Sequence, residues 1–121
     1  MNKNAKSQVI HQLKAYPYNS QIVQLKNASE PDAVKSMRKW VGAIDRVMES
    51  FKAEYPKKAE LARRLFFDEG DVAADSLEKR NAIMVEMFIS EPTLYRWRDD
   101  IINEVLVSAL EAGAVAVYGA L

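Results

Sequence analysis

The chain has 121 residues, 49% apolar and 28% charged, with only 4 glycines and 4 prolines, so it can bury one core and does not resemble a disordered or fibrous sequence. It has no cysteine and a single histidine, which excludes disulfides, thiolate chemistry and Cys/His zinc sites. Seventeen basic and seventeen acidic side chains cancel overall, yet residues 1–60 carry 11 Lys or Arg against 6 acids, and residues 61–121 carry 6 against 11.

No segment approaches the roughly 18 consecutive apolar residues of a membrane span, and no secretory hydrophobic run follows the polar start, so a cytoplasmic protein without a membrane partner is expected. The first predicted helix runs from about Ala5 to Ala15, with Val9, Ile10 and Leu13 as its stripe, and Pro17 is expected to stop it. A second, short helix is predicted over about Ser20 to Lys26. Ser29-Glu30-Pro31-Asp32 then reads as a helix start, with a cap hydroxyl, early acids and an early proline. From there Met37, Trp40, Val41, Ile44, Val47, Met48, Phe51 and Tyr55 recur at helical spacing, and Tyr55-Pro56 ends or bends the helix.

A following helix, about Lys57 to Phe67, offers Leu61, Ala62, Leu65 and Phe66 to the core before an acidic turn at Asp68-Glu69-Gly70-Asp71. The next starts near Asp75 or Ser76 and supplies Leu77, Ala82, Ile83, Val85, Met87 and Phe88 as apolar material. Ser90 caps the last long helix, whose Leu94, Trp97, Ile101, Val105 and Leu110 are spaced to face inward. The expected fold is all-α: an N-terminal helical segment over 1–28, a helical core over 29–111 and an apolar extension over 112–121.

The helix near 75–88, the Phe88-Ile89-Ser90 junction and the helix after it have the order of a helix-turn-helix over about 75–104. In that motif the start of the second helix enters the DNA major groove, which is wide enough for a helix and displays a distinct pattern for each base pair. Residues 89–98, Ile-Ser-Glu-Pro-Thr-Leu-Tyr-Arg-Trp-Arg, resemble the second half of the helix-turn-helix in phage and prophage late-transcription regulators of the ArpU and RinA type. Those regulators are in turn similar to promoter-binding region 4 of bacterial sigma factors. The resemblance implies sequence-specific binding of double-stranded DNA, a contact with RNA polymerase, activation of late genes and no enzyme activity. It places Glu91, Thr93, Tyr95 and Arg96 at the DNA.

Each of these residues also has a plainer use. Arg96 and Arg98 suit either DNA or a solvated helix face with i,i+4 pairing, Arg96 with Asp100 included. Thr93 can fill the first turn, Tyr95 can cover an apolar patch, and Glu91 can serve the helix dipole as readily as read a cytosine. The Ser90 hydroxyl is a cap that could also meet a phosphate. Upstream, Lys35, Arg38, Lys39, Arg46, Lys52, Lys57, Lys58, Arg63 and Arg64 form either a solvated face or a phosphate surface, with Arg63 and Arg64 best placed for the latter.

Asp68, Glu69, Asp71 and Asp75 lack the spacing of a calcium loop, no glycine-rich phosphate loop is present, and no cofactor or metal is expected. The acidic second half and uncharged tail motivate an alternative: a phage structural or packaging protein, including a small-terminase-like DNA-binding subunit, that uses the domain for assembly. The apolar residues from Val105 to Leu121 favour a homo-oligomer in either case.

Overall fold

The computed structural model describes residues 3–25, 31–68 and 76–115. Among them are five α-helices and no strand: α1 Lys3–Leu25, α2 Asp32–Glu54, α3 Pro56–Ala62, α4 Leu77–Met87 and α5 Glu91–Glu111. A single π-helical turn, Arg63–Phe67, continues α3.

Pro17 does not stop the first helix; α1 runs through it to Leu25. A proline inside a helix forfeits one backbone hydrogen bond and crowds the preceding turn, at about 3 kcal/mol. Contacts on both sides of it outweigh that cost. Val9 and Leu13 before the proline are fully buried, and Val23 after it packs with Val34 and Val41 of α2. Each such side chain contributes about 1.5–3 kcal/mol. Arg38 adds a hydrogen bond to the Val23 carbonyl at 2.9 Å, and the Ser20 hydroxyl donates to the Pro17 carbonyl at 3.1 Å.

The start of α2 also differs from expectation. Pro31 itself occupies the cap position in an extended conformation with no side-chain cap, and its carbonyl accepts from the Val34 and Lys35 amides at 3.0 and 3.1 Å. Asp32 supplies the acid in the first turn. Ser29 and Glu30 lie outside the described residues. The long stripe of α2 is buried from Trp40 through Phe51, whereas Met37 is partly covered and Tyr55 is exposed.

Tyr55 joins α2 to α3: its amide closes the first helix on the Phe51 carbonyl at 2.7 Å, and its carbonyl receives the Lys58 amide at 2.9 Å. With no amide hydrogen and a fixed φ, Pro56 suits the first turn of α3. The π turn, closed by the Asp68 amide on the Arg63 carbonyl at 2.9 Å, lets Leu65 and Phe66 both enter the core. Phe67 instead stacks on Tyr16 of α1 with ring centres 4.8 Å apart. All five helices and the π turn contribute to one cluster, from Val9 and Leu13 of α1 to Ile101, Ile102, Val105 and Ala109 of α5. The buried Ser108 bonds the Ala43 carbonyl at 2.9 Å and pins α5 to α2.

Candidate nucleic-acid interface

Helix α4 begins as expected at Ser76, whose hydroxyl accepts the Lys79 amide at 3.1 Å; Asp75 lies outside the described residues. Only Ile83 and Met87 of α4 are buried, while Leu77, Ala82, Val85 and Phe88 face solvent, so four of the six expected apolar side chains stay outside. The helix ends without a glycine. Phe88 takes the left-handed conformation, φ 55 and ψ 47, with its amide facing the Val85 carbonyl. The Ile89 amide reaches back to the Met84 carbonyl at 3.1 Å, the long bond of a Schellman turn. Ile89 then tucks partly against the core.

Ser90 starts α5. Its hydroxyl accepts the Thr93 amide at 3.3 Å and donates to the Thr93 hydroxyl at 3.0 Å, so both polar side chains serve the cap geometry. Pro92 sits in the first turn, where its missing amide hydrogen costs nothing. Leu94 and Ile101 are fully buried and fix the rotation of the helix about its axis. That rotation leaves Glu91, Tyr95 and Arg96 exposed on the outer face of the first two turns. Thr93 is partly covered, and Arg98 is half-buried and engaged with a neighbouring residue.

Trp97 packs against the core but is only half-buried, because one side of its ring borders a groove at the α2–α3 junction. The cleft between α4 and the start of α5, by contrast, is closed: it has no room for a water molecule. There Arg80 lies over the Tyr95 ring at 5.9 Å. This cation was not singled out by the sequence pattern, since its position follows only from the meeting of α4 and α5.

The charge balance around α5 is more favourable to a polyanion than the acidic second half suggests. Asp99 meets Lys6 of α1 at 3.5 Å, and Asp100 meets Lys58 of α3 at 3.1 Å. Both cations come from the basic first half of the chain. Asp100 is therefore drawn to Lys58 across 42 positions of sequence, and its expected i,i+4 partner Arg96 stays exposed. These exposed or partly exposed pairs add little stability, but they place positive charge beside the two acids nearest Arg96.

Arg63 and Arg64 have different surroundings. Arg63 is exposed on the π turn, whereas Arg64 bridges Glu60 of α3 at 3.8 Å and Glu86 of α4. Arg64 thus ties α4 to the preceding element. No group of three or more His, Asp or Glu side chains able to hold a metal occurs among the described residues, and none of their helices is long and apolar enough to cross a membrane. No family model matches the chain, and no curated protein or solved structure matches it either.

Proposed function

We propose that α4, the Phe88–Ser90 turn and α5 act as a helix-turn-helix that binds double-stranded DNA sequence-specifically, in a regulator of phage or prophage late genes. The observation that carries this reading is the outer face of α5: Glu91, Arg96 and Tyr95, the last with Arg80 against its ring, stand exposed on a helix start whose orientation is locked by buried Leu94 and Ile101. A major groove accepts such a helix end, and an arginine there can bond both acceptors of a guanine. Ser90 and Thr93 hold the helix start and present its amides to a phosphate, while Arg63 supplies a sequence-independent phosphate contact. Arg64 acts from behind by bracing α4 through Glu86, and Arg98 lies about one turn beyond Tyr95 on α5, partly covered. The late-gene role, the polymerase contact and the sigma-like character rest on the resemblance of residues 89–98. No catalytic step is assigned to this surface.

Selection from random duplexes followed by band shifts at several salt concentrations tests the proposal. Enrichment of one sequence, bound saturably and more weakly as salt rises, is the expected outcome. Equal, weak association with every duplex would remove sequence-specific regulation.

A second reading is favoured by the exposed apolar side chains of α4 and its C-cap. Leu77, Val85 and Phe88 expose 62%, 72% and 91% of their area along α4, which suits a protein-assembly role such as packaging. Light scattering distinguishes it: assembly abolished by Val85→Glu with DNA binding retained would assign this face to protein contacts. The proposed role of residues 112–121 in self-association extends beyond the described residues, which end at Val115. Removal of residues 112–121 should lower the oligomer mass while keeping most helical signal; an intact chain that is already monomeric would defeat that claim.

A further inference from the structure

A groove of about 410 Å³ opens where α2 gives way to α3, against the flank of α5. Its walls are Glu54, Tyr55, Pro56, Lys57, Lys58 and Trp97. Two large aromatic side chains therefore border one open space. Tyr55 leaves 54% of its area exposed although it completes the apolar stripe of α2, and Trp97 is half-buried although its inner neighbours Leu94 and Ile101 are fully covered. A planar ring entering the groove would cover both and gain stacking contacts beyond simple area burial.

Charge selects the kind of ring. Lys57 is exposed at the groove, and Lys58 is held in place, 4.7 Å over the centre of the Tyr55 ring and 3.1 Å from Asp100. Glu54 is the one acid in the wall. Lys58 is already paired with Asp100, so the ammonium open to a ligand is that of Lys57; an acidic group can meet it, and an aliphatic ligand would leave the ring faces unused. An aromatic anion uses both. The volume lies at the lower end of the range for small-molecule sites, room for a ring system with one acidic group and too little for a folded partner.

We propose that this groove binds a small planar aromatic anion of nucleoside-monophosphate size, with its ring against Trp97 and Tyr55 and its acidic group at Lys57. The site is independent of the DNA-binding proposal and can be tested without DNA.

The test is a titration of the ¹⁵N-labelled full chain with adenosine 5′-monophosphate, following the two indole N–H signals. Trp40, 2% exposed in the core, serves as the internal reference, and Trp97→Phe assigns the other signal. The Trp97 signal should shift saturably, with half-saturation below about 1 mM, while the Trp40 signal stays in place. Adenosine and inorganic phosphate should each bind at least about tenfold more weakly than the nucleotide, and Lys57→Glu should weaken it about tenfold at unchanged melting temperature. No Trp97 shift at about 10 mM nucleotide would overturn the site. Equal shifts of both indoles, adenosine binding as tightly as its monophosphate, or undiminished binding by Lys57→Glu would each overturn it as well.

Discussion

Phe88→Gly should stabilise the protein even though it deletes an aromatic ring. Phe88 is held at φ 55 and ψ 47, where the β-carbon of an L-residue crowds the neighbouring backbone at a cost of about 1–2 kcal/mol. Glycine escapes that crowding but loses more freedom on folding, which returns about 0.5–1 kcal/mol. The ring is 91% exposed, so its removal forfeits almost no buried area. The net expectation is a gain of roughly 0.5–1 kcal/mol, or about 2–5 °C in melting temperature for a chain of this size. Phe88→Ala keeps the β-carbon and should remain near the wild type. Urea and thermal unfolding of the three proteins decide the matter; Phe88→Gly no more stable than Phe88→Ala would refute the reasoning. The ring neither fills the core nor relieves the turn, and its exposure leaves it available to the partner surface proposed above. Phe88→Gly is therefore expected to weaken DNA binding or assembly while raising stability.

Three further substitutions concern the packing of α1 and α5. Pro17→Ala should raise stability, by up to about 3 kcal/mol, because α1 is already helical through that position; unfolding at lower denaturant than the wild type would contradict it. Trp97→Ala should cost about 1.5–3 kcal/mol by chemical denaturation, less than the roughly 3–5 kcal/mol of a fully buried ring, and a loss in the upper range would place the ring in the core after all. Burial raises the Tyr16 phenol well above its ordinary value near 10, and its hydrogen bond to Asp45 with the Asp45 and Glu49 charges adds to the effect. The neutral phenol is thus favoured in the folded chain, so its contribution is fully present below pH 10 and is lost as pH rises beyond it. Tyr16→Phe should show a shallower loss of stability above pH 10 than the wild type; parallel curves would remove Tyr16 from the account.

The parts of the fold that were legible were those written in local patterns. The stripe from Trp40 to Phe51, the break at Tyr55-Pro56, the start of α4 at one of its two expected positions, the Ser90 cap and the inward Leu94, Ile101 and Val105 all follow from helical spacing and terminal chemistry. The rest depended on contacts between distant segments. Pro17 is tolerated because residues before and after it are buried against other helices, and no local rule contains that sum. The left-handed turn at Phe88 was hidden because its usual marker is glycine. Lys6 and Lys58 reach Asp99 and Asp100 across 93 and 42 positions, so sequence alone showed only an acidic second half. Trp97 has the spacing of a core residue, but the bend between α2 and α3 leaves one side of it open.

The most direct test of the DNA-binding proposal is fluorescence anisotropy of wild-type and Arg96→Ala protein with a selected duplex and with variants changed at single base pairs. Arg96 is exposed beside the buried Leu94–Ile101 anchor, so its removal should leave the thermal unfolding curve essentially unchanged. Loss of a guanine contact should weaken binding to the selected duplex and relax the preference at one base pair by about 1–3 kcal/mol, roughly a tenfold to hundredfold change. A folded Arg96→Ala protein that keeps both the affinity and the base preference of the wild type would contradict the proposed recognition surface.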